Sequence, residues 1–505
     1  MTDNLATTWG PHCRTTSATP SPREDVFDTE IERQIERAEN HISRLYRKRN
    51  EIRSPIYSLP PEILTIIFKF VCPPVDFPRE HGLDRLNPDD VASVASPHIL
   101  TDLTVLAAVS ARWHSLVVST PSLWTSFVAD NYNIKRAKTI FSRAGSHLVS
   151  VSFDFWIEQG SHAILGQILQ EHASQVHMLY VHQAPADWLK EYIPGLVKLE
   201  FLCLEGYERG GSPILIESSC TRLVLKDCSC RFTLSWSKIE VLHLEDTPVD
   251  VCLELLQKCT CLLEYRARRI CPPDEKDIQP QLPSSPFVLP RLKLFEWAMV
   301  LSADEDIAML QYIRLPVLQT LVWVNERFDG LDVTTLPHVF TFFEHLPLTL
   351  SAVEIRKGEC PSGRSSVFSY FSNLSNIESL TLRECSSAFV NEVFSTLGSE
   401  ICLEEMPVFP KLKSIYIDVL KDDLDQAKIL NTFRRSCSQP SELLLGDPFR
   451  IETTRDGVNW MPELKEELVM MVEKGYRVEL WENSKPVDWL PRTVKLSQGA
   501  VRQME

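Results

Sequence analysis

Fourteen cysteines and thirteen histidines are the side chains from which this chain would have to build a metal centre or a nucleophile. Their spacing suits neither. No C-x-x-C pair exists, and Cys228-x-Cys230 and Cys259-x-Cys261 are too close for ordinary zinc ligands. His172 and His177 stand five apart, a poor spacing for one helix face, and read as surface or loop residues. Cys252, Cys259 and Cys261 sit in a leucine-rich stretch and read as small core residues. G-x-G-x-x-G, P-loop, G-x-S-x-G and H-E-x-x-H motifs are all missing. Glycine, which phosphate-cradling loops need, is only 17 of 505 residues. The sequence predicts no catalytic residue, no metal and no cofactor. An enzyme on an α/β fold would instead bring clustered acid/base residues into a deep pocket.

If the chain does not react, it must bind, and its totals bound what. A length of 505 residues implies two to four domains or one extended repeat array. Hydrophobic residues make up 44%, enough for packed cores. A net charge of −16 argues against nucleic acid and anionic membranes as main partners. The first thirty residues hold no apolar signal core, and no stretch is long and apolar enough to span a bilayer. Reduced thiols and a cytoplasmic and/or nuclear location are the expectation.

Residues 1–23, rich in Thr, Ser and Pro, read as a disordered tail. Residues 24–53 read as a helix. Ile31, Ile35, Ala38, Ile42, Leu45 and Ile52 follow heptad spacing, with Arg49 in the remaining slot. Such a helix either docks on its own protein or pairs as a short coiled coil in a homodimer; its shortness favours the first. In SLPPEILTIIFKFV, Pro60 and Pro61 fit a first helical turn and Glu62 suits the positive end of the dipole. Ile63, Leu64, Ile67, Phe68 and Val71 then form a broad apolar face. Residues 73–100 read as a loop. A second helix from about Thr101 to Pro121 carries Leu103, Leu106, Val109, Trp113 and Val117, and PSLWTSF adds a short turn with Trp124.

In order, Leu59-Pro60, Glu62, Ile63-Leu64, Ile67-Phe68, Leu103, Leu106, Val109-Ser110, Trp113 and Pro121-Ser122-Leu123-Trp124 resemble the F-box, with a longer loop between its helices. The resemblance implies a three-helix domain over 55–128. It would bind a Skp-family adaptor, and through it a cullin scaffold, by way of Leu59, Pro60, Ile63, Leu64, Ile67, Phe68, Leu103, Leu106, Trp113 and Trp124. Sequence does not separate contact from core among these. Two or three short helices cannot bury that many large apolar groups among themselves, so some surface is left for a partner.

Beyond a helix at about 131–144, an apolar-x-x-apolar-x-apolar pattern recurs eleven times, from Leu148/Val151/Phe153 to Leu412/Ile415/Ile417. Its steps run from 19 to 35 residues. Each unit offers a short strand and a return segment that cannot cover its own apolar side, so neighbours must stack. The series resembles leucine-rich repeats, including a Cys three residues after Leu225 and after Leu382. The expected fold is α/β: a helical F-box, then an α/β leucine-rich-repeat solenoid or horseshoe over 131–485. A helix and last strand cap it, and a tail covers 486–505. The residues between the two inner positions would face outward: Ser152, Tyr180, Cys203, Val224, His243, Arg266, Glu296, Val322, Glu354, Thr381 and Tyr416. Of these, Tyr180, His243, Arg266, Glu296, Glu354 and Tyr416 are the candidate contacts for a protein substrate. Together the resemblances imply a non-catalytic substrate receptor of an SCF-type ubiquitin ligase; the other reading is an adaptor-independent repeat scaffold.

Overall fold

Short strands that alternate polar and apolar residues leave both edges open until a neighbour pairs with them. In the computed structural model, the repeated triplets meet that need in one sheet. The structure describes residues 22–72, 99–129, 134–155, 159–207, 214–228, 232–271, 283–299, 309–325, 336–359, 374–398, 409–419, 424–437, 449–453, 460–474, 477–482 and 485–487. The chain divides into two compact units, one from residues 1–73 and 102–119, the other from 74–101 and 120–505. The expected tail to residue 21, nearly all of the 73–100 loop, Gly475 and the end beyond 487 lie outside the described residues.

The first unit is helical. Helix α1 spans Pro22–Arg53. None of its described side chains is buried. A 3-10 turn, Pro55–Ser58, leads to α2, Pro61–Val71, with Pro60 at its N-cap and Glu62 in its first turn. The expected single second helix is two: α3, Ile99–Val109, and α4, Ala111–Ser119. Ser110 makes the break. Its hydroxyl accepts the Trp113 N–H at 3.1 Å, the capping bond a serine offers in place of helix continuation.

The second unit begins sooner than expected. Pro121–Leu123 forms a 3-10 turn, and Ser126–Ala129 is already a strand, β1. Strands β2 (Val149–Asp154), β3 (Val176–His182), β4 (Phe201–Tyr207), β5 (Arg222–Cys228), β6 (Val241–Glu245) and β7 (Glu264–Arg268) follow. Then come β8 (Leu294–Met299), β9 (Thr320–Asn325), β10 (Ala352–Arg356), β11 (Ser379–Cys385) and β12 (Ser414–Val419). Strands β13 (Phe449–Thr453), β14 (Val478–Glu482) and β15 (Lys485–Pro486) close the series. Among the described residues these fifteen pair in chain order; every neighbour is parallel except β15, which runs antiparallel to β14. The result is a solenoid-like α/β unit with one large, mostly parallel sheet.

Return segments carry α5 (Ile134–Ala144), α6 (Gln159–Glu171), α7 (Ala186–Tyr192), α8 (Val249–Lys258), α9 (Leu336–Glu344), α10 (Ser387–Gly398), α11 (Gln426–Cys437) and α12 (Pro462–Glu473). Elsewhere two-residue ladders replace a helix, such as Phe287–Val288 beside Ile313–Arg314. The inner positions of every triplet are buried. Rings join sheet to helices: Phe127 meets Phe141 of α5 at 5.5 Å, Phe295 meets Phe342 of α9 at 5.8 Å and Phe449 meets Phe433 of α11 at 5.3 Å. One first position fails. Leu148 is 41% exposed, because the chain shifts register at Val149, and Val149 takes the buried place.

A backbone device repeats with the strands. Gln183, Gly206, Asp227, Asp246, Arg269, Lys357 and Glu384 each lie two residues after the last triplet position and each has φ between 45° and 78°. This left-handed residue bends the chain at or just past the strand's end, and six of the seven are not glycine. One residue on, the thiols of Cys228 and Cys385 donate to the previous strand's carbonyls, Leu204 O at 3.4 Å and Ile355 O at 3.5 Å. That is the structural use of the repeat's cysteine: it ties one corner to the next.

Candidate functional site

In the helical unit, the apolar residues of α2 sort into two faces. Leu64 and Phe68 are buried, with Leu103, Leu106, Trp113 and Val117. The Phe68 and Trp113 rings lie 4.8 Å apart. These are core, and they hold α2 on α4. Leu59 and Ile67 are half-buried. Pro60, Ile63, Ile66, Phe70 and Val71 are exposed, Phe70 at 82%. Val105 and Val109 of α3 are exposed as well. Trp124 is buried in the second unit, with the Arg143 guanidinium 4.5 Å from its ring centre, so it serves the sheet's first turn.

One residue the sequence reading missed shapes this unit. Arg112 of α4 donates Nη2–H to Leu59 O at 2.6 Å and Nη1–H to Tyr57 O, and its guanidinium lies over the Tyr57 ring. A charged donor here occupies two carbonyls that no helix satisfies and fixes the corner from which α2 starts. Its signal was its place, directly before the Trp113 of the apolar pattern.

In the second unit, the expected outward residues form one continuous row across the sheet. Ser152 pairs with Tyr180, and the line runs through Cys203, Val224, His243, Arg266, Glu296, Val322, Glu354 and Thr381 to Tyr416. It continues to Glu452 and Trp481, which the sequence reading did not include.

The row is not simply solvated. Cys203, Val224, His243, Glu296 and Val322 are buried, which corrects the placing of His243 and Glu296 as surface contacts. Glu296 has no exposed side-chain surface because three arginines cover it. Arg268 Nε stands 2.5 Å from its carboxylate, Arg356 Nη1 3.3 Å and Arg266 Nη1 3.5 Å. The lattice extends sideways. Arg266 also pairs with Glu264 at 2.7 Å, and Glu354 takes Arg356 at 2.6 Å and Arg383 at 3.2 Å. Four guanidiniums thus face three carboxylates at the centre of an acidic protein. Tyr180, Arg266, Glu354 and Tyr416 are half-buried and accessible in part. Tyr180 Oη donates to Glu205 at 2.5 Å, Arg383 lies over the Tyr416 ring, and Arg450 stacks 3.7 Å from the Trp481 ring centre.

His243 Nε2 lies 2.7 Å from Glu264 Oε1. Burial holds the imidazole below its ordinary range. Its Nδ1 is buried without a partner, so a second ring proton would have no acceptor. The neutral ring therefore donates to Glu264. Burial opposes the Glu264 charge, yet the bonds from His243 and Arg266 outweigh it and hold the carboxyl at about 2.

The remaining candidate chemistry is dispersed. His172 stacks on Phe141 at 4.5 Å, while His177 lies on β3, its pKa lowered by burial. Cys252 and Cys259 are buried and burial raises both thiols, Cys259 to about 12. Among the described residues no group of three His, Cys, Asp or Glu is placed to hold a metal, and no helix is long and apolar enough to cross a membrane.

No family model matches the chain, and no curated protein is similar to it. Among solved structures, a chain of the yeast Rad7 and Elc1 complex is similar over 87% of this chain and 95% of that chain, at 12% identity and a TM-score of 0.34. A protein from Bacteroides fragilis is similar over 73% of this chain and 77% of its own, at 10% identity and a TM-score of 0.27.

Proposed function

We propose that this chain is the substrate-recognition subunit of an SCF-type cullin–RING ubiquitin ligase, active in the cytoplasm and/or nucleus. The helical unit docks a Skp-family adaptor, and the outward row of the repeat unit holds a protein substrate. The observation that carries this reading is the split of α2 into a buried face and an exposed apolar strip, Ile63, Ile66, Phe70 and Val71. Water-facing aromatic and branched side chains gathered on one short helix are a poor end state and a good docking surface. The F-box-like order of residues names the partner's class. The chain needs no nucleophile of its own. It holds a substrate near chemistry that lies on other subunits, which is a gain in effective concentration.

Co-purification with a Skp-family adaptor tests the reading. Wild type should form a stoichiometric complex, and Ile66→Ala with Phe70→Ala should lose it while unfolding at the wild-type temperature. A wild-type chain that forms no complex would leave the adaptor-independent repeat scaffold as the better reading.

A further inference from the structure

We propose that α1 pairs with α1 of a second copy of this chain, as an antiparallel two-stranded coiled coil. Four observations lead there. The helix runs 32 residues, roughly 48 Å at the usual rise. Its heptad places Ile35, Ile42 and Arg49 at the a positions and Ile31, Ala38, Leu45 and Ile52 at the d positions. Every one of these side chains is exposed, as a seam awaiting a partner would be. Among the described residues of the helix no buried stripe explains its apolar residues.

Charge decides which partner and which direction. From residue 22 to 39 the sequence holds seven acids and three arginines; from 40 to 53 it holds one acid and five Lys or Arg. Acids first and bases last also suit the dipole of a single helix. The same segregation makes the helix complementary to itself when reversed. A second copy laid antiparallel sets each acidic half on a basic half, with no other partner required. In the register that sets Ile42 against Leu45, Arg53 faces Glu32 of the second copy. A parallel pair would instead set Arg53 against Lys48 and stack acids on acids. Arg49 inside the seam favours a specific alignment over indiscriminate association.

Sedimentation equilibrium on the full chain tests this. Wild type should approach twice its 57.7 kDa mass as concentration rises. Ile35→Asp with Ile42→Asp should give the monomer with an unchanged near-ultraviolet tryptophan signal, to which α1 contributes none. A wild type that stays monomeric, or a variant that still dimerises, overturns the proposal. Arg53→Glu fixes the direction, since it should weaken an antiparallel dimer by roughly tenfold, two attractions becoming two repulsions. Tighter dimerisation of this variant would mean parallel strands and would overturn the orientation.

Discussion

The two units solve the burial problem in opposite ways. The sheet unit closes on itself: its inner triplet positions are all covered, and even its outward face is bound together by paired charges around Glu296. The helical unit stops halfway. Phe68 has no exposed surface, while Phe70, two residues on, is almost fully bare. Stacked strands gain a neighbour with every repeat, so burial accumulates. Three short helices reach their limit at once and leave apolar surface over. A unit whose outward face is knit by paired charges offers a rigid surface; a unit with apolar surface left over offers an adhesive one.

The largest expected loss is in the sheet. Glu296→Gln leaves three guanidiniums without their shared anion and should cost about 3–5 kcal/mol, read by denaturant unfolding. An unchanged midpoint would show that the arginines are solvated and that the outward face is not a closed lattice. In the helical unit, Phe68→Ala should cost about 3 kcal/mol or more through lost burial and the cavity beside Trp113. The same truncation at Phe70 should stay within about 0.5 kcal/mol, since it removes nothing buried. Equal losses at the two positions would erase the division of α2 into a buried and an exposed face.

A smaller effect is pH dependence. The folded His243 takes up a proton less readily than the unfolded chain, whose imidazole titrates near 6.5. Its contribution is therefore complete above that pH and drains as pH falls below it. Glu264, held at about 2 against an ordinary 4.5, adds stability that persists above 4.5 and is lost between there and 2. His243→Gln should flatten the upper part of the stability profile. Any loss below 4.5 that remains would then belong to Glu264 and its neighbours. Gly166→Ala would set a methyl 2.4 Å from the Tyr192 ring and should cost about 1–3 kcal/mol, read by denaturant unfolding; an unchanged midpoint would show that the ring turns aside.

The repeat was legible where chemistry alternated. Leu202/Cys203/Leu204 and Leu380/Thr381/Leu382 announce a strand by period two, and stacking then forces their middle residues into one row. Strands β1 and β13 were missed because Ser126–Ala129 follows a helical motif and Phe449–Thr453 holds no leucine. The left-handed corners were not legible, because Gln, Asp, Arg, Lys and Glu carry no local preference strong enough to mark a positive φ.

By itself the sequence determined the heptad of α1, the start of α2 at Pro60-Pro61, the order of the strands and which side chains share a face. These follow from local spacing, and spacing needs no fold to be read. Tertiary structure alone decided that Glu296 is buried beneath three arginines from two other strands and that Trp124 serves the sheet. It also decided that Arg112 pins Leu59 from the neighbouring helix, and that Phe68 and Phe70 part ways. Each of those depends on what stands opposite a residue, and the opposite residue lies far along the chain.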